Sequence, residues 1–208
     1  MADVYFDKTA KRYRYTANGR FVSRKIFLEI QQQFINHKIA QLTGLSEQFY
    51  NNPTKENLEK ASQILKEIHI AKGVIGAGGA DKMFANDYLA IATTLKRHYG
   101  LTDNNPNPYG LRQLFEQLQN GEIKSVDVLR ARLRLYGQSG SQSRHAVELN
   151  KKTIEGKTEA KRILGTTDFH CNECLSYAAS GWGSLSSLVL PGTRCSCLTN
   201  CLCSVVYR

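Results

Sequence analysis

Apolar residues recur at helical spacing through most of the chain. After a polar, irregular stretch up to residue 22, marked by the turn dipeptide Asn18-Gly19, the residues Ile26, Phe27, Ile30, Phe34 and Ile39 return at intervals of three to five. That rhythm predicts a helix capped by Ser23 and running to about residue 50, with Gly44 as a weak point. Asn51-Asn52-Pro53 punctuates, and Thr54 caps a second helix with Leu58, Ala61, Leu65 and Ile68 on one face. The glycine run Gly73 to Ala80 is expected to break it. A third helix fits Asp81 to Tyr99, a loop fits Gly100 to Pro108, and a short helix fits Tyr109 to Leu118 with a stop at Gly121. From Ser125 to about Leu164 the pattern is helical again, interrupted between Tyr136 and Ser143. No stretch shows the alternation of a strand-rich core, so the fold class is mainly α.

Three segments follow: a basic, extended N-terminal arm (1–22), a helical body (23–164) and a cysteine-rich tail (165–208). The 208 residues, 41% of them hydrophobic, suffice for a sizeable core. No window reaches the roughly 18 apolar residues of a membrane span, and no apolar signal core follows the charged start, so the protein is expected to stay in the cytoplasm that makes it.

Charge adds a direction. The net charge is +10, and residues 1–25 hold Lys8, Lys11, Arg12, Arg14, Arg20, Arg24 and Lys25 against Asp3 and Asp7, interleaved with Tyr13, Tyr15 and Phe21. Lys11, Arg12, Arg14, Arg20, Arg24 and Lys25 are the candidate residues for DNA binding or docking, by phosphate contacts and by stacking of the tyrosines. A tail that orders on a neighbouring subunit fits the same composition. A second basic stretch, Arg130 to Arg162, reads as solvated surface or as a further acidic-partner face.

Chemistry narrows to the tail. The glycine run fits neither the dinucleotide-binding spacing nor a phosphate loop, since Asp81 stands where the last glycine belongs and no Gly-Lys-Ser/Thr closes it. It reads as a flexible turn between helices. The histidines at 37, 69, 98, 145 and 170 are scattered, and only His170 adjoins a ligand-type residue.

All six cysteines lie between 171 and 203. In a reducing compartment such a cluster points to metal before disulfides. Cys171-Asn-Glu-Cys174 is a chelating pair, and 20 residues separate it from the run Cys195, Cys197, Cys201 and Cys203. A thiolate-rich set suits a structural zinc ion. Spacing favours Cys171 and Cys174 with Cys201 and Cys203, then Cys197 as substitute, and ranks Cys195 last. A two-zinc cluster with bridging sulfurs is the other solution.

The blocks "TANGRFVS", "GGADKMFANDYLAIATTLKRHYG", "GEIKSVDVLRARLRLYG" and the long C-terminal block "EAKRILGTTDFHCNECLSYAASGWGSLSSLVLPGTRCSCLTNCLCSVVYR" resemble the minor head, or head-morphogenesis, proteins of tailed bacteriophages, similar to protein F of phage Mu. The resemblance covers most of the chain from about residue 11. It is most specific in His-Cys-x-x-Cys, Gly-Trp, Pro-Gly-Thr and the closing Cys-x-x-x-Cys-x-Cys. Leu202 departs from the basic residue usual between the last two cysteines, and the chain is short for that family.

The resemblance implies a non-catalytic virion structural protein, a capsid component present in a few copies per head, made in the bacterial host cytoplasm. Its partners would be portal, capsid or other head proteins, further copies of itself and packaged DNA, with no membrane. An internal head protein ejected with the genome and a zinc-knuckle DNA-binding regulator are the rival classes. No acid-base, nucleophile or open-metal set marks an enzyme.

Overall fold

The computed structural model describes residues 3–100, 110–167 and 169–208. It is mainly helical, with a cysteine cluster near the C-terminus. The expected loop after Gly100 falls almost wholly outside the described residues.

The N-terminal segment departs from an extended arm. Strands β1 (Val4–Asp7), β2 (Arg12–Tyr15) and β3 (Phe21–Val22) form an antiparallel meander. The reason lies in a period of two: Val4, Phe6, Tyr13, Tyr15 and Val22 share one face, in the pairs Val4 with Tyr15, Phe6 with Tyr13 and Tyr13 with Val22. That face closes over Phe27, Val74 and Met83 of the body. Tyr13 stacks on Phe27 with 4.0 Å between ring centroids, and its hydroxyl donates to Asp81. Gly19, at φ 66°, supplies the turn into β3.

The body consists of α1 (Arg24–Gly44), α2 (Ser46–Asn51), α3 (Lys55–Ala77), α4 (Ala85–Tyr99), α5 (Leu111–Gln119), α6 (Val126–Gln138) and α7 (Gly140–Ile154). The hydroxyls of Ser23, Thr54 and Ser125 cap α1, α3 and α6, each accepting an otherwise orphaned backbone N–H from the first turn. Helix α3 lies at the centre, against α1, α4 and α7. Around it gather Ile35, Leu42, Phe49, Leu65, Ile68, Leu114, Leu129, Leu133 and Val147, all buried. No helix among the described residues is long and apolar enough to cross a membrane.

The glycine run corrects the expected break. Helix α3 continues through Gly73 and Gly76 and ends only at Gly78, at φ 75°, where the N–H groups of Gly78 and Gly79 bond back to Ile75 and Val74. Inside the helix the two glycines serve packing. A Cβ on Gly73 would run into the side chain of Ile91, and one on Gly76 into the backbone carbonyl of Arg144, so α7 approaches closely because no side chain intervenes.

Similarly, the interruption expected over Tyr136 to Ser143 contracts to Ser139, between α6 and α7. There His69, wholly buried, lies within hydrogen-bonding distance of Ser143 Oγ (2.7 Å) and Ser139 Oγ (3.0 Å), while His98 meets Gln142 Oε1 at 3.1 Å. Buried His69 and half-buried His98 join α3 and α4 to the α6–α7 corner. Burial pushes His98 down to about 4 and His69 well below its ordinary value.

Helix also ends earlier than the pattern predicts. After Gly156, at φ 79°, residues Glu159–Ile163 form strand β4, which lies between β5 (Gly183–Ser184) and β6 (Ser204–Tyr207). With α8 (Asn172–Ala179), this small antiparallel sheet frames the cysteines. Strand β4 thus belongs by hydrogen bonding with the tail.

Candidate metal centre

Each cysteine is placed by local structure. Cys171 is the N-cap of α8 and Cys174 lies in its first turn, so a Cys-x-x-Cys spacing brings both thiols to one helix end. Cys195 and Cys197 precede a 3-10 turn, Leu198–Asn200, whose Leu198 adopts φ 44°. Cys201 and Cys203 lead into β6, where alternation buries Cys203 and Val205 together. Gly165 permits the final approach, since a Cβ there would collide with the backbone of Leu202.

The six thiols converge. The Sγ atoms of Cys171, Cys174, Cys195 and Cys197 all lie within 4.8 Å of one another, and those of Cys174, Cys201 and Cys203 form a second such group. Among them Cys171 to Cys197 is 3.5 Å, Cys174 to Cys197 3.5 Å, Cys174 to Cys201 3.6 Å and Cys195 to Cys197 3.3 Å. Four sulfurs tetrahedral about an ion at about 2.3 Å stand ~3.8 Å apart. The cluster can therefore hold a metal ion after small adjustments.

Geometry groups the ligands differently from spacing. The complete four-thiol set contains Cys195 and Cys197, while Cys201 and Cys203 gather on Cys174. His170 belongs to neither group.

The thiols differ in how readily they ionise. Against the upward push of burial, backbone N–H groups of Cys174 and Cys197 bond to the Cys171 sulfur and hold its thiol down at about 7. Burial, then contact with neighbouring thiols, pushes Cys174 and Cys197 upward. Without a cation such thiols stay protonated, and a coordinated divalent ion reverses that balance.

The residue that sequence reasoning missed is Arg162. Placed within a basic stretch expected to be solvated, it is 2% exposed. Its Nη1 lies 3.5 Å from Cys174 Sγ, its Nη2 donates to the carbonyl of Val189, and its guanidinium lies over the Tyr177 ring. Its Nε has no partner, and no carboxylate pairs with it among the described residues. A buried guanidinium, always charged, calls for negative charge nearby, which thiolates supply. No periodicity in "EAKRI" announces it.

The Pro-Gly-Thr segment docks the tail on the body. Pro191-Gly192, with Gly192 at φ 79°, makes a turn closed by the Thr193 N–H on Leu190, and Gln142 Nε2 of α7 donates to the Gly192 carbonyl at 2.7 Å. Beside this contact lies a cavity of about 730 Å³ that presents Arg97, Arg132 and Arg194. Leu188, Val189 and Leu190 line it half-buried, while Trp182 is 37% exposed with Arg208 over its ring. The apolar residues of the cysteine loop thus pack on the body only in part.

The basic N-terminal residues are spread over the sheet, its turns and the start of α1. Arg14, half-buried, bonds Asp7 at 2.7 Å and Arg24, exposed, bonds Asp81 at 2.7 Å; Lys11, Arg12, Arg20 and Lys25 are exposed as well. Tyr13, at 3% exposure, is unavailable for base stacking. The outer face instead carries Tyr5, Phe21, Arg12 and Arg14, with the Arg14 guanidinium 4.0 Å from the Phe21 ring centre.

No family model, no characterised protein and no solved structure matches the chain.

Proposed function

We propose that the protein is a non-enzymatic minor head component of a tailed bacteriophage, acting in head morphogenesis near the portal or the packaged DNA, with structural zinc in its C-terminal module. The observation that carries the reading is the six-thiol cluster. Its candidate donors are sulfur alone, the set suited to a closed structural ion, and it coincides with the sequence block that most resembles phage head proteins. Cys171, Cys174, Cys195 and Cys197 are the residues that would hold zinc, and its chemistry there is to fix the fold of the tail.

The body and the basic surfaces support a protein that docks. The outer face of the N-terminal sheet and the arginine-lined cavity offer cations to acidic partners, whether DNA phosphates or acidic head proteins. The protein is made in the bacterial cytoplasm and ends in the virion head.

The test is co-expression with the portal, scaffold and major capsid proteins of a tailed phage that carries this gene, followed by quantitative mass spectrometry of purified heads. A few copies per head, retained after DNA release, is the expected result. Loss together with the genome would identify an ejected internal protein. Absence from heads combined with steeply salt-dependent binding to naked duplex would replace the reading with a DNA-binding regulator.

A further inference from the structure

We propose that the six cysteines hold two zinc-class divalent ions in one shared thiolate cluster, with Cys174 and Cys197 bridging. The inference rests on the metal-binding reading of the tail and deepens it.

Ligand arithmetic leads there first. Two tetrahedral ions require eight coordination positions, and six thiolates fill them only when two sulfurs each serve both ions. A single ion in the group of Cys171, Cys174, Cys195 and Cys197 would leave Cys201 and Cys203 as free thiols, buried and directed at Cys174. In the two-ion arrangement none of the six is left over.

Geometry then selects the bridges. Cys174 is the one cysteine common to both sulfur groups, and its Sγ stands 3.5 Å from Cys197 and 3.6 Å from Cys201. Cys197 is the hub of the first group, with Cys171, Cys174 and Cys195 all within 3.5 Å; it stands outside the second group, so its bond to the second ion requires Cys201 and Cys203 to close toward it. The two tetrahedra would share the Cys174–Cys197 edge. Cys171 and Cys195 would complete one ion, and Cys201 and Cys203 the other.

Arg162 supplies the independent observation. Six thiolates and two divalent cations leave a doubly negative cluster, and a bridging sulfur is where a charged donor is best placed to steady it. The buried guanidinium directs Nη1 at Cys174, the proposed bridge, and has no carboxylate partner among the described residues.

The experiment is metal stoichiometry on the full chain. Native mass spectrometry of protein made with excess zinc is expected to give two ions per chain. After exchange with ¹¹³Cd, NMR should show two resonances in the all-sulfur range, split by coupling through shared sulfur. Cys203→Ser should lower the count from two to one, and the wild-type cadmium spectrum keeps the test valid should that variant fail to fold. One ion per chain, with Cys201 and Cys203 open to alkylation under denaturing conditions while the ion is retained, would overturn the shared cluster and leave a single-ion staple standing. Two uncoupled ions would overturn the bridging assignment. No metal at all would overturn both the cluster and the metal reading beneath it.

Discussion

Replacing Gly76 by alanine tests whether the glycine run is a helix-packing surface or a flexible connector. A Cβ built there stands 3.2 Å from both the carbonyl carbon and the Cα of Arg144, and closer still to its oxygen. The obstacle is backbone, so no rotamer change relieves it, and α3 must move away from α7. Overpacking of this kind costs about 1–3 kcal/mol. Alanine in a helix interior returns about 1 kcal/mol relative to glycine. The expected balance is a loss of up to about 2 kcal/mol. Gly44, at the end of α1, offers open space instead, since a Cβ there would meet nothing within 4 Å, so Gly44→Ala should gain up to about 1 kcal/mol by the same helix preference. Urea melts followed by far-UV circular dichroism would give both values, with opposite signs. Equal stabilisation by the two substitutions would refute the packing role, because alanine in a loose connector only restricts the unfolded chain.

Acid should destabilise the body through its buried histidines. His98 falls from its ordinary 6.5 to about 4, so the unfolded chain takes up a proton that the folded one refuses; stability present above pH 6.5 is lost as pH falls toward 4, by up to about 3 kcal/mol. His98→Gln should flatten that slope, and parallel wild-type and variant profiles would contradict the assignment. Stripping metal with a strong chelator, or making Cys174→Ser, should expose the chain beyond residue 165 to protease while helical circular dichroism persists; identical digestion before and after would sink the stapling role. Arg162→Met should weaken zinc retention by roughly 10–100-fold in a chelator competition, and unchanged retention would make the guanidinium a bystander. Arg12→Glu with Lys25→Glu, both exposed, should leave melting unchanged; should the N-terminal face bind duplex, each lost phosphate contact lowers the salt-dependence slope by about 0.9, and an unaltered slope would remove these residues from any duplex contact.

Much of the body is legible in the sequence because its signals are local. Ser23, Thr54 and Ser125 act as caps where a hydroxyl precedes an apolar rhythm, and each accepts its N–H within three residues. The N-terminal sheet escapes that reading, because its strands are only two to four residues long and its period is two. Arg12-Tyr13-Arg14-Tyr15 alternates, and the same alternation that reads as cation and aromatic interleaving sends the tyrosines inward and the arginines outward. Glycine misleads at Gly73 and Gly76 because composition cannot distinguish a helix break from a helix crossing; the neighbour that decides, Arg144, lies 68 residues along the chain from Gly76. The cysteines announce the kind of site without its grouping. Cys195 ranks last by spacing, yet the Cys195–Cys197 pair joins Cys171 and Cys174 in the four-thiol group, while Cys201 and Cys203, after the 3-10 turn, group with Cys174.

The charge of the chain takes on a different meaning once these placements are combined. A net charge of +10 suggests surface throughout, yet two of its cations are internal: Arg162 faces the thiol cluster, and Lys151, paired with Asp87 and lying 3.9 Å from the Phe84 ring centre, ties α7 to the start of α4. The two differ in what balances them. Lys151 has a carboxylate within the body and needs nothing further. Arg162 has thiols, which are anionic only when a cation holds them. Strand β4 carries Arg162 directly out of the body and bonds to β6, which leads from Cys203. Metal bound to the thiols would therefore act on the same strand that joins the tail to the helices. A tail held this way would stay fixed against the body while its exposed Trp182 and the arginine-lined cavity keep a constant shape for whatever they meet.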